Sequence, residues 1–222
     1  MSRLVSLLGT GIGRKLLMAA TGLLLLGFLV AHLAGNLLIF VGPEAFNHYS
    51  HELIGNPLIY VAEAGLLLLF VAHLVSGIAV TWRNRTARPV AYHRTARAGH
   101  TSHKTLASTT MILSGLIVLV FVPLHIETFK FGPYYDWVGD PGVRDLHRLV
   151  LDVFQSPLYV AWYVVAMAVI GFHLWHGFGS GFESLGLAYS KPLRRFGQIL
   201  AVVLSGGFLL IPVVIFLRGV VW

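Results

Sequence analysis

The sequence contains no cysteine, and only 11% of its 222 residues are charged. Without thiolates the chain cannot build its own iron–sulfur centre, thiolate metal site or thiol nucleophile. Soluble domains carry about 25% charge, so roughly half of the usual charged surface is missing. That deficit, with a mean hydropathy of +0.77, excludes a soluble globular enzyme, a disordered chain and a secreted disulfide scaffold. Five apolar runs fill the gap, at 16–41, 58–82, 105–125, 157–182 and 196–217. Each is long enough to cross ~30 Å of hydrocarbon. Backbone in lipid must satisfy its own hydrogen bonds, so all five are expected to be helices. The first run is too long for a cleaved signal and lacks an Ala-x-Ala site ahead of a soluble domain, so it is expected to stay as a span. The expectation is an all-α membrane protein, one transmembrane domain over 1–222.

Acidic residues are scarce, nine against sixteen basic ones, and the two signs are segregated. Arg3, Arg14 and Lys15 precede span one; Arg83, Arg85, Arg88, Arg94, Arg97 and Lys104 lie between spans two and three; Lys191, Arg194 and Arg195 lie between spans four and five. These alternate segments hold 12 of the 16 basic residues. The positive-inside rule then puts the N-terminus in the cytoplasm and the C-terminus outside, in a cytoplasmic (inner) membrane. Glu44, Glu52, Glu127, Asp136, Asp140, Asp145 and Asp152 fall on the opposite side. The net charge of +7 is thus an inner-face property suited to anionic lipid or a cytoplasmic partner, not to nucleic acid.

Histidine is abundant, with eleven residues. His32, His73, His125 and His173 fall one per span in spans one to four, His176 joins His173, and span five has none. An interhelical hydrogen bond explains any single one, but a polar ring in hydrocarbon marks a functional site more often than not. Four, one per helix, without carboxylate or thiolate company, suit axial ligation of haem iron. At 1.5 Å per residue, His32 lies ~24 Å and His125 ~30 Å from the inner end of its span, whereas His73 and His173 each lie ~14 Å from theirs. Two pairs result, His32 with His125 toward the outside and His73 with His173 toward the inside.

An internal repeat points the same way. Spans one and three share a small residue, glycine and a histidine ten residues on: Thr21-Gly22…His32 and Ser114-Gly115…His125. Eleven residues make about three turns, which puts the small pair on its histidine's face but deeper toward the inside. Spans two and four share His-x3-Gly, His73…Gly77 and His173…Gly177. Small residues would let a flat macrocycle approach the backbone; ordinary small-residue helix packing is the alternative. Two stacked haems b with bis-histidine ligation follow, in a four-helix bundle plus a fifth helix. His176, three residues from His173 but without the glycine spacing, is the alternative ligand.

At these residues the chain resembles the cytochrome b subunit of succinate:quinone oxidoreductases (succinate dehydrogenase or fumarate reductase, respiratory complex II), in its single-subunit, five-helix, two-haem form. The likeness rests on Gly13-Arg14-Lys15 and Thr21-Gly22 ahead of His32 and Asn36; Ala72-His73 with Gly77; Asn84-Arg85, Arg88-Pro89 and Tyr92; Ser114-Gly115…His125; and His173…Gly177…Gly186. It implies haem ligation by His32, His73, His125 and His173, with flavoprotein and iron–sulfur subunits on the cytoplasmic face and a membrane quinone, taken as menaquinone, as substrate. One departure stands out: some two-haem fumarate reductases carry a Glu of a transmembrane proton path two residues before the span-four ligand, where this chain has Gly171. Glu63, ten residues before His73, is the only acid well inside a span; it reads as a snorkelling or interhelical group, with substitution for the missing proton-path Glu as the alternative.

With no nucleotide fold the chain is expected to transfer electrons, not to oxidise succinate alone. The rival readings are a di-haem subunit of a nitrate reductase, hydrogenase or formate dehydrogenase, and a transporter, which calls for broken helices and intramembrane charge. A quinone needs hydrogen-bonding and acid–base groups near a redox centre. The candidates are Arg14, Lys15 and His103 on the inner side and Glu44, His48, His51 and Glu52 on the outer side.

Overall fold

A computed structural model describes residues 10–86, 110–187 and 190–219, and these residues are all helix and connecting turns apart from one isolated bridge between Asp136 and Arg144. Helix α1 (Gly11–Asn36) starts where the Thr10 side chain accepts the Gly13 N–H at 3.0 Å, and runs on into a 3-10 turn, Leu37–Phe40. There follow α2 (Pro43–Gly55), α3 (Leu58–Thr86), α4 (Met111–Phe129), α5 (Leu146–Val153), α6 (Pro157–Ser184) and α7 (Lys191–Arg218). Five are long and apolar enough to cross a membrane: α1 with its turn, α3, α4, α6 and α7. This is a multi-pass membrane protein.

The bounds of the spans shift in ways that matter. Residues 105–109 lie outside the described residues, and α4 runs from Met111 to Phe129. His125 and Glu127 suggest an end to the third span by hydropathy, yet hydrogen bonding carries the helix a turn past His125. Helix α3 likewise passes Trp82 to reach Thr86, because charged residues are good helix formers once clear of lipid. Two short helices occupy segments that hydropathy leaves as loops. Pro43 at the first position and Glu44 in the first turn start α2, and the Asp145 carboxylate caps α5 by accepting the Arg148 N–H at 3.0 Å. They are joined through Asn47, which is 0% exposed: its amide donates to Asp145 Oδ1 at 2.9 Å and its oxygen accepts the His147 N–H at 2.9 Å. This end of the bundle is the capped end. Arg14, Lys15, Arg83, Lys191, Arg194 and Arg195 mark the other, the basic end.

Helix α6 is the central pillar, packed on α7, α1 and α4; α1 packs in turn along α3. Of the neighbouring pairs among α1, α3, α4 and α6, α3 and α4 touch least, and Lys130 at the end of α4 forms an ion pair with Glu63 of α3 across that seam. So α1, α3, α4 and α6 form a ring in that order, with α7 outside it. Fully buried hydrophobic side chains concentrate on the α5–α7 side, among them Leu149, Met167, Leu204 and Ile215, and none belongs to α3. Protein atoms alone therefore leave the α3 side of the ring thinly packed.

Candidate functional site

The four span histidines meet across the diagonals of this ring. His32 of α1 faces His125 of α4 with ring centres 5.8 Å apart, and His73 of α3 faces His173 of α6 at 6.3 Å. Each residue is half-buried. Metal–imidazole bonds are ~2 Å long, so two rings on opposite sides of one metal stand about 6 Å apart. Among the described residues no group of three or more His, Cys, Asp or Glu gathers to hold a metal ion; the histidines stand in twos. His176 is half-buried and makes no ring contact or hydrogen bond among the described residues, so the ring brought to His73 is that of His173.

At the basic-end pair the protein sets the tautomer. His73 Nδ1 lies 3.0 Å from the Met18 carbonyl, which can only accept, so the N–H is on Nδ1 and the Nε2 lone pair is free. Thr21 Oγ1, whose own hydrogen goes to the Leu17 carbonyl at 2.7 Å, stands 3.3 Å from the same Nδ1. Ser114 repeats the device: its hydroxyl donates to the Met111 carbonyl at 2.9 Å and so accepts the N–H of His173 Nδ1 at 2.9 Å. An N–H held by an oxygen on one side of the ring and a free nitrogen on the other is the usual state of a metal-ligating histidine. The donor set therefore fits axial ligation.

The capped-end pair is housed differently. His125 Nδ1 lies 3.0 Å from the Tyr163 hydroxyl, which has no second partner among the described residues. The Asn36 amide nitrogen donates to the His32 carbonyl at 2.8 Å and lies within hydrogen-bonding reach of the two ring nitrogens of His32, at 3.3 and 3.5 Å. Aromatic rings do most of the holding: Phe28 stacks on His32 at 5.1 Å and Phe121 on His125 at 5.5 Å, with Phe208 tilted against His32 and Phe129 edge-on to His125.

The small-Gly motifs turn out to serve the opposite pair. Thr21-Gly22 and Ser114-Gly115 lie three turns below His32 and His125, the depth of His73 and His173, and it is those rings they touch. A Cβ on Gly22 would stand 2.9 Å from His73 Cε1, whereas one on Gly115 would be 3.8 Å from His173 Cε1. A Cβ on Gly77 would lie 3.8 Å from the Met18 sulfur, and one on Gly177 would meet no other part of the protein within 4 Å. Gly171 packs on α7, where a Cβ would come within 2.8 Å of Ser205 Oγ, so the position has no room for a carboxylate. Three helices each place one polar side chain against a ring of the other layer, 11 residues away on α1 and α4 and 10 on α6. All three give a layer spacing of ~15–16 Å.

The remaining candidates separate. His51 and Glu52 line a shallow cavity of about 390 Å³ with Gly55, Asn56 and Pro57 at the capped end; Glu44 is exposed on the same helix, and His48 meets the Trp137 ring edge-on at 5.2 Å. Arg14 lines an apolar cavity of about 360 Å³ at the basic end with Val75, Ile78, Ala79, Trp82 and Arg83, while Lys15 is exposed beside it. His103 lies outside the described residues. Sequence reasoning missed Tyr163 and Met18: a tyrosine in an apolar run reads as packing, and a backbone carbonyl leaves no trace in sequence.

Five apolar helices, with paired imidazoles inside four of them, fit a membrane cytochrome b anchor. The chain is similar to the succinate dehydrogenase cytochrome b558 subunit of Bacillus subtilis (strain 168), 22% identical over 179 residues that cover 80% of this chain and 81% of that relative. No family model and no solved structure matches it.

Proposed function

We propose that the chain is the di-haem cytochrome b anchor of a succinate dehydrogenase or fumarate reductase, passing electrons between an iron–sulfur subunit and a membrane quinone. The observation that carries the reading is the pair of histidine diagonals in two layers, with free Nε2 atoms at the basic end. The likeness to the Bacillus subtilis cytochrome b558 subunit supports it. His73 and His173 would hold one haem b, His32 and His125 the other, and the group supplies one-electron chemistry when bound. The chain's own part is to fix the rings. Met18, Thr21 and Ser114 hold the Nδ1 protons at one layer, and an aromatic cage keeps water from the other.

The basic end is the cytoplasmic face in this reading, and the N-terminal segment with the 83–104 loop receives the iron–sulfur and flavoprotein subunits. Docking there meets the His73–His173 layer first and leaves the other layer to extend the path across the bilayer. Menaquinone is the proposed quinone. The cavity beside His51 and Glu52 and the one beside Arg14 are the proposed places for it, each near one layer. A pyridine haemochrome assay on the purified complex tests the core of this. Two haems b per chain, with co-purifying flavoprotein and iron–sulfur subunits, are expected; one haem or none sinks the di-haem reading.

A further inference from the structure

We propose that Tyr163 is a positioning residue for the capped-end layer: its hydroxyl oxygen accepts the Nδ1–H of His125 and so sets the redox potential of the haem held there. The inference rests on the di-haem reading. Tyr163 is 6% exposed and wedged among Phe121, Phe129 and Phe154, with ring centres 5.1, 6.1 and 5.0 Å away, so its hydroxyl is aimed by packing on three sides. The only polar atom it meets among the described residues is His125 Nδ1, at 3.0 Å.

A histidine that gives Nε2 to iron carries its proton on Nδ1, and the hydroxyl must then act as acceptor. Accepting that proton makes the imidazole a stronger donor to the metal, which favours the oxidised state. The redox step is the addition of one electron to iron, from dithionite in a titration, with no bond made or broken and the Nδ1 proton kept on the ring. The basic-end layer has other acceptors for both its histidines, and among the described residues the opposing ring His32 has as hydrogen-bond partner only the Asn36 amide nitrogen, a donor that cannot take up an Nδ1–H. The influence of Tyr163 is therefore confined to one haem, and that haem has no second hydrogen bond of the kind to mask its loss.

The test is Tyr163→Phe in the intact complex, with haem content measured by pyridine haemochrome and each haem's midpoint by a visible-absorbance redox titration. Two haems should remain, with the capped-end midpoint moved upward and the basic-end midpoint unchanged. Placing 3-fluorotyrosine at 163 keeps the shape and the hydroxyl but weakens the oxygen as acceptor, and should raise the same midpoint by less. Phe154→Leu, which loosens the cage without removing the hydroxyl, should move the capped-end midpoint far less than Tyr163→Phe does and leave the basic-end midpoint in place. If both hydroxyl changes leave the capped-end midpoint where it was, or if Phe154→Leu moves it as far as Tyr163→Phe does, the hydrogen bond does not set the potential. A wild-type complex with fewer than two haems overturns the underlying reading instead.

Discussion

The two histidine pairs differ in what holds them. At the basic end both rings give Nδ1–H to oxygens already committed as acceptors, the Met18 carbonyl and the Ser114 hydroxyl. At the capped end the polar contacts are the Tyr163 hydroxyl on His125, free to donate or accept, and the Asn36 amide nitrogen on His32, and the rings are wrapped in Phe28, Phe121, Phe129 and Phe208. A hydrogen bond to a fixed acceptor dictates which nitrogen is bare, whereas an aromatic cage dictates only where the ring lies. In the proposed di-haem reading the first site would be ready for its iron before it arrives, and the second would be completed by it.

The sharpest way to break this comparison is to remove one ring. His173→Ala should lower haem content from two to one per chain and leave the capped-end signal, while His176→Ala should keep both. A haem count of two in His173→Ala would mean that the wrong ring of that helix has been chosen. The next effect comes from glycine. In Gly22→Ala the new Cβ lies 2.9 Å from His73 Cε1 and the ring must move, an overpacking cost of about 1–3 kcal/mol. Gly115→Ala meets its histidine at an ordinary 3.8 Å and should be nearly silent. Thermal unfolding with haem content as the second readout separates them, and equal behaviour of the two variants would show that the repeat is symmetric after all.

Smaller again is Ser114→Ala, which leaves His173 without its acceptor and should raise the basic-end midpoint alone. With the layers ~16 Å apart, the shift should add to that of Tyr163→Phe in the double variant, since distant sites act independently. Strong non-additivity in a redox titration would point to coupling between the layers.

The least effect concerns the cap. Burial pushes the His147 ring below the ordinary histidine value of 6.5, partly offset by the Ile39 carbonyl and by Asp145. A depressed folded value means that the native cap keeps the ring neutral while the unfolded chain takes up a proton. Stability is therefore full above 6.5 and falls as the pH drops below it. Amide exchange in α2 and α5, corrected for intrinsic rates, should be faster near about pH 5 than near about pH 8, and His147→Gln should remove the difference. No such difference in the wild-type chain would count against a buried neutral ring.

Much of the site was legible before any fold. Hydropathy marked the spans, and 1.5 Å per residue sorted four histidines into two depths. The short helices were not, because α2 and α5 are too polar to register as spans and are stabilised by contacts to each other through Asn47. The small-Gly motifs were visible as lying deeper than the histidines of their own helices. That they press on the histidines of other helices could not be read from a single helix.

The sequence by itself determined the axial coordinate of every group, since rise per residue and the position of charge along an apolar run fix depth whatever the neighbours are. Rotation about each helix axis and the order of helices around the ring came only with the tertiary structure. Those depend on packing between segments distant in the chain, such as α1 along α3 and α6 against α4. Which nitrogen of the basic-end imidazoles is bare was decided there too, because it turns on a single oxygen: the Met18 carbonyl at 3.0 Å for His73 and the Ser114 hydroxyl at 2.9 Å for His173.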